Sequence, residues 1–172
     1  WLLRRFKMFK LLGVLFIFIT FVLLGFYFSG ILKRRVKIFR QTKFMIDKIT
    51  TLIKYRSYNV FELCDEIKKD DSLYEMEFTS FSYTNGVPFC ELWKENIEKW
   101  KVPIKNNERN IYFEIGKMLG TTDKEGQISA LILFDTEIGK MLSDAEKEYS
   151  EKSKMIKMLG ILSGAFVSIM LI

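Results

Sequence analysis

Few residues in this chain have the type and spacing to do chemistry. Gly116-Lys117-Met118-Leu119-Gly120 sets a lysine between two glycines, but not in the order of a loop that cradles phosphate with successive backbone N–H groups. A helix C-terminus stopped by Gly120 accounts for it better. The carboxylate pairs Asp65-Glu66 and Asp70-Asp71 could in principle supply an acid and a base. They fall at expected helix ends, where capping and solvation use them. The acids from Asp144 to Glu151 alternate with Lys147 and Lys152, as i,i+4 pairs on a solvated helix face do; a partner surface is the alternative. Histidine is absent, which removes His-based triads, His zinc sites and the usual proton switch. Cys64 and Cys90 lack metal-type spacing and both sit on expected apolar helix faces, so buried reduced thiols are expected rather than a disulfide. The expectation is a non-enzyme with no catalytic residues, no metal and no cofactor.

Charge is distributed unevenly. Residues 1–57 carry +12, residues 58–151 carry −9 and residues 152–172 carry +3, within an overall +6. A nucleic-acid partner would need a basic face on a folded body, and the body is acidic. No nucleic-acid binding is expected.

Two segments are apolar enough for membrane. Leu11 to Leu32 is 22 residues without a charge, about 33 Å as a helix against a hydrocarbon core of ~30 Å. Lys33-Arg34-Arg35 follows it as a stop-transfer cluster rather than a cleavage site. Met158 to Ile172 is also uncharged and continues a long helix that begins near Asp123 and would reach about 75 Å. The expected layout is a basic flank at 1–10, a transmembrane helix at 11–32, a cytoplasmic helical domain at 33–157 and a membrane segment at 158–172. Trp1 is no initiator, and Met8 is a candidate start. Lys33, Arg34, Arg35, Lys37, Arg40 and Lys43 lie on the domain side of the first segment, against Arg4, Arg5, Lys7 and Lys10 outside. Lys152, Lys154 and Lys157 lie on the domain side of the second, so the positive-inside rule puts the domain in the cytoplasm.

Between the segments strand signals are nearly absent. The class expected is all-α: a compact bundle of about six helices flanked by the two membrane helices. Val36, Phe39, Ile46, Ile49, Leu52 and Ile53 extend the first membrane helix as an amphipathic stalk. Asn59 caps a second helix with Glu62 in a capping box, burying Phe61, Cys64 and Ile67. Asp70 caps a third, with Tyr74, Phe78 and Phe81 inward. Asn85-Gly86-Val87-Pro88 is a turn into a fourth, carrying Phe89, Leu92, Trp93, Ile97 and Trp100. Asn106 or Asn107 starts a fifth, with Ile111, Ile115, Met118 and Leu119 inward. The turn Leu119, Gly120, Thr121, Thr122, Asp123 then leads into the sixth, with Thr122 or Asp123 as cap and a stripe of Ile128, Leu131, Phe134, Ile138, Met141, Leu142, Ala145 and Tyr149. Phe89, Trp93 and Trp100 are expected as core rather than as a ligand box. In the membrane segments Gly160, Gly164 and Ser168 recur every four residues, as do Gly25 and Ser29. Small residues so spaced allow close helix contact in lipid, although glycine and serine are common in membrane helices generally.

These features together resemble the stage III sporulation protein AB family of endospore-forming bacteria, over Met8 to Ile172. The matching stretches are Met8-Phe9-Lys10-Leu11-Leu12-Gly13, the aromatic helix around Trp93, Leu119-Gly120-Thr121-Thr122-Asp123-Lys124-Glu125-Gly126-Gln127, and Lys157-Met158-Leu159-Gly160-Ile161-Leu162-Ser163-Gly164. Residues 1–7 depart from the family pattern. The resemblance implies a cytoplasmic helical domain similar to that of the type II secretion F protein. It also implies a place in a secretion-like channel complex between mother cell and forespore, in the mother-cell membrane facing the forespore. The partners implied are a cytosolic secretion-type ATPase and other membrane proteins of the same complex; the family offers no catalytic residues to carry over. Membrane lipid is the further expected partner, and a homo-oligomer stays open.

The acids best placed to meet an ATPase are Glu62, Asp65, Glu66, Asp70 and Asp71 at one end of the body, and Glu114, Asp123 and Glu125 near the long turn. The alternative is that they only keep a small bundle soluble. Two other classes compete with the scaffold. A secretion or pilus platform of the F type would carry two such domains and more spans. A two-span sensor would place the domain outside the cell and continue past the second span, whereas the chain ends at Ile172.

Overall fold

The computed structural model describes residues 2–56, 58–81 and 86–171, and the side chains of these other than residues 2–8 and 10. Trp1, Asn85 and Ile172, and the side chains of Arg4, Arg5, Lys7, Met8 and Lys10, lie outside the described residues. No strand occurs among those described. The elements are α1 (Leu2–Tyr55), α2 (Val60–Lys68), α3 (Phe89–Lys99), α4 (Asn106–Met118) and α5 (Lys124–Leu171), with two 3-10 turns at Asp71–Leu73 and Glu77–Thr79. Among the described residues five helices stand where six were expected. The stretch expected as the third helix is the pair of 3-10 turns, because Asp70, Ser72, Thr79 and Ser80 offer local side-chain and turn hydrogen bonds that compete with a continuous helix.

α1 has 54 residues and α5 has 48, each uninterrupted because neither contains a proline. Both are long and apolar enough to cross a membrane. The chain divides into two compact units, one of Trp1–Arg34 with Ala145–Ile172 and the other of Arg35–Asp144.

Within the Arg35–Asp144 unit the core follows helical periodicity. Ile38, Phe39, Met45, Ile46 and Ile49 of α1 are at most 1% exposed, as are Leu131 and Ile138 of α5. Leu63 and Ile67 of α2, Trp93 and Ile97 of α3, and Tyr112 and Ile115 of α4 are buried as well; α3 packs on α4 and the second 3-10 turn, and α2 on both 3-10 turns. Phe78, from the second 3-10 turn, sits among three rings: its centroid is 5.0 Å from Trp93, 4.7 Å from Trp100 and 5.8 Å from Tyr112. Both buried indoles find acceptors, as polar tips in a core must. Trp93 Nε1 donates to the Tyr112 carbonyl at 2.7 Å and Trp100 Nε1 to the Glu75 carbonyl at 2.8 Å.

Several expected core positions are corrected, and Phe61 and Phe81 are only half-buried. Phe89 is only half-buried, since it opens α3 at the rim of the ring cluster, edge-on to Phe61 at 5.5 Å. Tyr74 is exposed and carries the Lys37 ammonium 3.9 Å above its ring, a cation–π contact that needs no burial. Cys90 is exposed although it shares the spacing of Trp93 and Ile97: the rings of Phe61 and Phe81 that meet the first turn of α3 lie against Phe89. Cys64 is buried, and desolvation pushes its thiol up to about 12. Maleimide at neutral pH should therefore modify Cys90 promptly and Cys64 only after denaturation. Peptide mapping showing equal rates at both would contradict this placement.

Candidate functional site

Three features of the protein could serve a function: the acidic ends of the body, the turn before α5, and the paired apolar helices. Much of the acidic surface is already committed to local structure. Asn59 Oδ1 accepts from the Phe61 and Glu62 amides at 3.0 Å each, and Glu62 Oε2 accepts from the Asn59 amide at 2.8 Å, completing the capping box. Glu66 pairs with Lys69 at 2.7 Å and Glu114 with Lys117 at 2.6 Å. Asp70 caps the first 3-10 turn through the Ser72 amide and accepts from Lys48 Nζ at 2.8 Å. Asp65, Asp71 and Glu125 are exposed, so they present charge outward. Asp70 and Asp71 border a shallow cleft of about 120 Å³ together with Lys68, Tyr74, Glu77 and Ser80.

Lys48 and Ser72 hold the Asp70 carboxyl down at about 2 from its ordinary 3.8. A depressed carboxylate stabilises the fold at pH values above its unfolded pKa, and the contribution is lost as pH falls through the folded one. The difference in Tm between the wild type and Asp70→Asn should therefore be full above about pH 4 and close towards pH 2. A pH-independent difference would mean that capping, not the ionised pair, carries the effect.

At the turn, Gly120 has φ +80°, the left-handed geometry that ends a helix and favours glycine. Leu119 is buried beside it. Asp123, not Thr122, is the cap of α5: its Oδ1 accepts from the Gly126 amide at 3.2 Å. Thr122 instead offers its carbonyl to Gln127 Nε2 at 2.8 Å, so of the two expected caps the aspartate serves, reinforced by Gln127. α4 begins at Asn106, one of the two expected starts. Lys105 holds the cap position, and its amide donates to Glu108 Oε2 at 2.8 Å.

In the other unit the small residues of α1 and α5 meet. A Cβ on Gly160 would lie 2.8 Å from the Phe21 carbonyl oxygen and one on Gly25 would lie 3.2 Å from that of Ile156. A Cβ on Gly164 would press on Phe18 and Phe21 at 3.1 Å. The Ser29 and Ser153 hydroxyls share a buried hydrogen bond of 2.7 Å, and Ser168 Oγ approaches the Val14 carbonyl at 3.5 Å. These contacts within one chain are what small residues permit where apolar burial gives no preference for a partner helix over lipid.

A two-helix apolar unit joined in sequence to an all-α body is matched by one family model, that of stage III sporulation protein AB, over residues 10–172. The chain belongs to the stage III sporulation protein AB family. It is thus a sporulation protein with two helices of membrane-spanning length. No curated protein and no solved structure matches it.

The Leu119–Asp123 stretch on which the resemblance rests is the α4–α5 turn just described. The aromatic helix of that resemblance is α3, whose Trp93 and Trp100 are buried with their ring N–H groups satisfied. Among the described residues, one closely buried ion pair of the body carries little signal in the sequence. Arg35 of α1 and Glu108 of α4 form an ion pair with both side chains 7% exposed, and Arg35 Nε donates to Glu108 Oε2 at 3.2 Å. Arg35 reads in sequence as part of a topogenic cluster, and Glu108 as one of many acids. Glu108 at the third position of a helix was the signal that could have drawn it out. Thr42 and Tyr112, whose hydroxyls lie 2.8 Å apart in the core, carried no sequence signal.

Proposed function

We propose that the protein is a non-enzymatic membrane scaffold of a sporulation secretion-like channel complex. Its body would face the cytoplasm of the mother cell and link a cytosolic ATPase to membrane proteins of the channel. The observation that carries this is family membership over residues 10–172, in a chain whose all-α body is continuous in sequence with two membrane-length helices. The basic residues flanking both apolar runs on the body side support the orientation.

Exposed Asp65, Asp71 and Glu125 are the acids of the expected set best able to meet a cationic partner face. Glu62, Asp70 and Asp123 hold caps, so their reversal would perturb the fold as well as any docking. Exposed pairs are worth only ~0–1 kcal/mol each. Reversing Asp65, Asp71 and Glu125 together should weaken capture of the ATPase and reduce the salt dependence of its association.

Affinity purification of the full-length protein in detergent from sporulating cells, read by mass spectrometry, tests the proposal. It should recover a secretion-type ATPase and membrane proteins of one complex. Recovery of neither, from cells in which the protein is membrane-inserted, would end the scaffold reading. Impermeant maleimide on intact cells provides the orientation: the exposed Cys90 should stay unlabelled until the cells are permeabilised. Labelling of intact cells equal to the permeabilised control would favour a two-span sensor.

A further inference from the structure

We infer that Lys33, Lys154 and Lys157 form a binding site for the phosphate of an anionic glycerophospholipid, with Phe26 as its apolar wall. This rests on the reading above that α1 and α5 span a membrane. The three lysines and the phenylalanine belong to one compact unit, Trp1–Arg34 with Ala145–Ile172.

The geometry begins at Lys157. Its Nζ lies 5.4 Å from the centroid of the Phe26 ring, and its Cα lies 3.5 Å from where a Gly25 Cβ would stand. Lys157 is therefore level with Gly25 and Phe26. The uncharged run of α1 continues for six residues past Phe26, to Leu32, which is about 9 Å of helix. The root of this cation thus lies below the level at which the neighbouring span becomes polar. A charge so placed must snorkel towards the interface or meet a counter-charge.

The two other lysines lie along the same route outward. Lys33 follows Phe26 by seven residues, two turns along one face of α1, and Lys154 precedes Lys157 by three, one turn along α5. Both are exposed, and Lys157 is half-exposed. Among the described residues none of the three is in an ion pair, whereas Lys152 pairs with Glu148 at 2.6 Å and Lys43, Lys48, Lys69 and Lys117 also have carboxylate partners. The chain supplies three cations at the boundary of the span, Lys157 among them against an apolar ring, and among the described residues none has a carboxylate partner. A lipid phosphate, with its acyl chains beside Phe26, matches both the charge and the depth. A zwitterionic lipid offers the same phosphate with a cationic group that the three ammoniums repel, so the site discriminates in favour of net negative headgroups.

The test uses the full chain reconstituted in phosphatidylcholine vesicles with a minor fraction of spin-labelled phosphatidylglycerol or, in parallel, spin-labelled phosphatidylcholine. The motionally restricted fraction should favour phosphatidylglycerol by roughly fivefold or more, the factor that one basic residue near an anionic surface contributes. Lys33→Gln/Lys154→Gln/Lys157→Gln should bring the ratio close to one. Lys94→Gln/Lys99→Gln/Lys117→Gln removes the same charge from the body and should leave the preference intact. A triple variant that keeps the preference, or a control that loses it equally, overturns the site. Displacement by inorganic phosphate at constant ionic strength would assign the lysines to a free anion instead and also overturns it. A wild type with no preference would leave a carboxylate of another membrane protein as the counter-charge. Flotation with the vesicles separates the two levels: failure to float rejects the spanning helices, and flotation without selectivity rejects this site alone.

Discussion

Glu108→Ala should lower the stability of the protein by about 3–5 kcal/mol, the range for removing one partner of a buried ion pair. Glu108 is 5% exposed and accepts both from the Arg35 guanidinium and from the Lys105 amide at the start of α4. Its loss takes away the carboxylate facing a desolvated cation and the acceptor of a helix-end amide together. The ring of Phe39 lies 5.7 Å from the Arg35 guanidinium, which leaves that side of the cation apolar. The exposed Lys99–Glu95 pair, 68% and 57% exposed, provides the contrast: Glu95→Ala should cost no more than ~1 kcal/mol.

A double variant decides whether the pair stabilises or merely avoids a penalty. Arg35→Met/Glu108→Leu removes both charges and fills the space with apolar groups, which for buried pairs is often neutral or better. Its stability should lie well above that of Glu108→Ala, by thermal melting in detergent followed by far-UV circular dichroism. A Glu108→Ala protein that melts with the wild type would refute the burial of this pair.

The second large effect is expected at Gly116. In an exposed helix interior glycine to alanine stabilises by roughly 0.5–1 kcal/mol. Here the new Cβ would lie 2.1 Å from Trp93 Cδ1 and 2.6 Å from its Nε1. The indole cannot easily retreat: it is 1% exposed, lies 5.0 Å from the Phe78 ring and donates its N–H to the Tyr112 carbonyl. Overpacking costs about 1–3 kcal/mol, and an orphaned buried N–H adds about 1–3. The sum exceeds the helix-propensity gain, so Gly116→Ala should be destabilising by several kcal/mol and shift the tryptophan emission. Gly139→Ala is the matched control. Its Cβ would meet only Lys43 Nζ at 3.7 Å, so it should be neutral or slightly stabilising. Equal melting temperatures for the two variants would show that the Trp93–Gly116 contact does not constrain the core.

The sequence by itself determined which stretches are helix, because the signals involved are local. Proline-free apolar runs set α1 and α5, Asn59 with Glu62 set the start of α2, and Gly120 set the end of α4. Each depends on residues within a turn or two of the position concerned, and so did the class, the two membrane-length helices and the family. Errors arose where two local options were close in energy. The cap of α5 stayed open between Thr122 and Asp123, neighbours able to accept the same amides, and the expected third helix gave way to 3-10 turns where short polar side chains compete for the backbone.

Tertiary structure decided what local patterns do not encode: which residues far apart in sequence face each other. Cys90 has the spacing of a buried position, but the rings that meet the first turn of α3 lie against Phe89 and leave the thiol exposed. Arg35 looks like a flanking charge until α4 brings Glu108 to it across 73 positions of chain. Gly116 looks like an ordinary helical glycine until Trp93 is seen to occupy the space of its missing side chain. Periodicity specifies which way a side chain points along its own helix. Only the packing of helices specifies what it meets, and that encounter is what sets the desolvation of the buried pair and the fit of the indole.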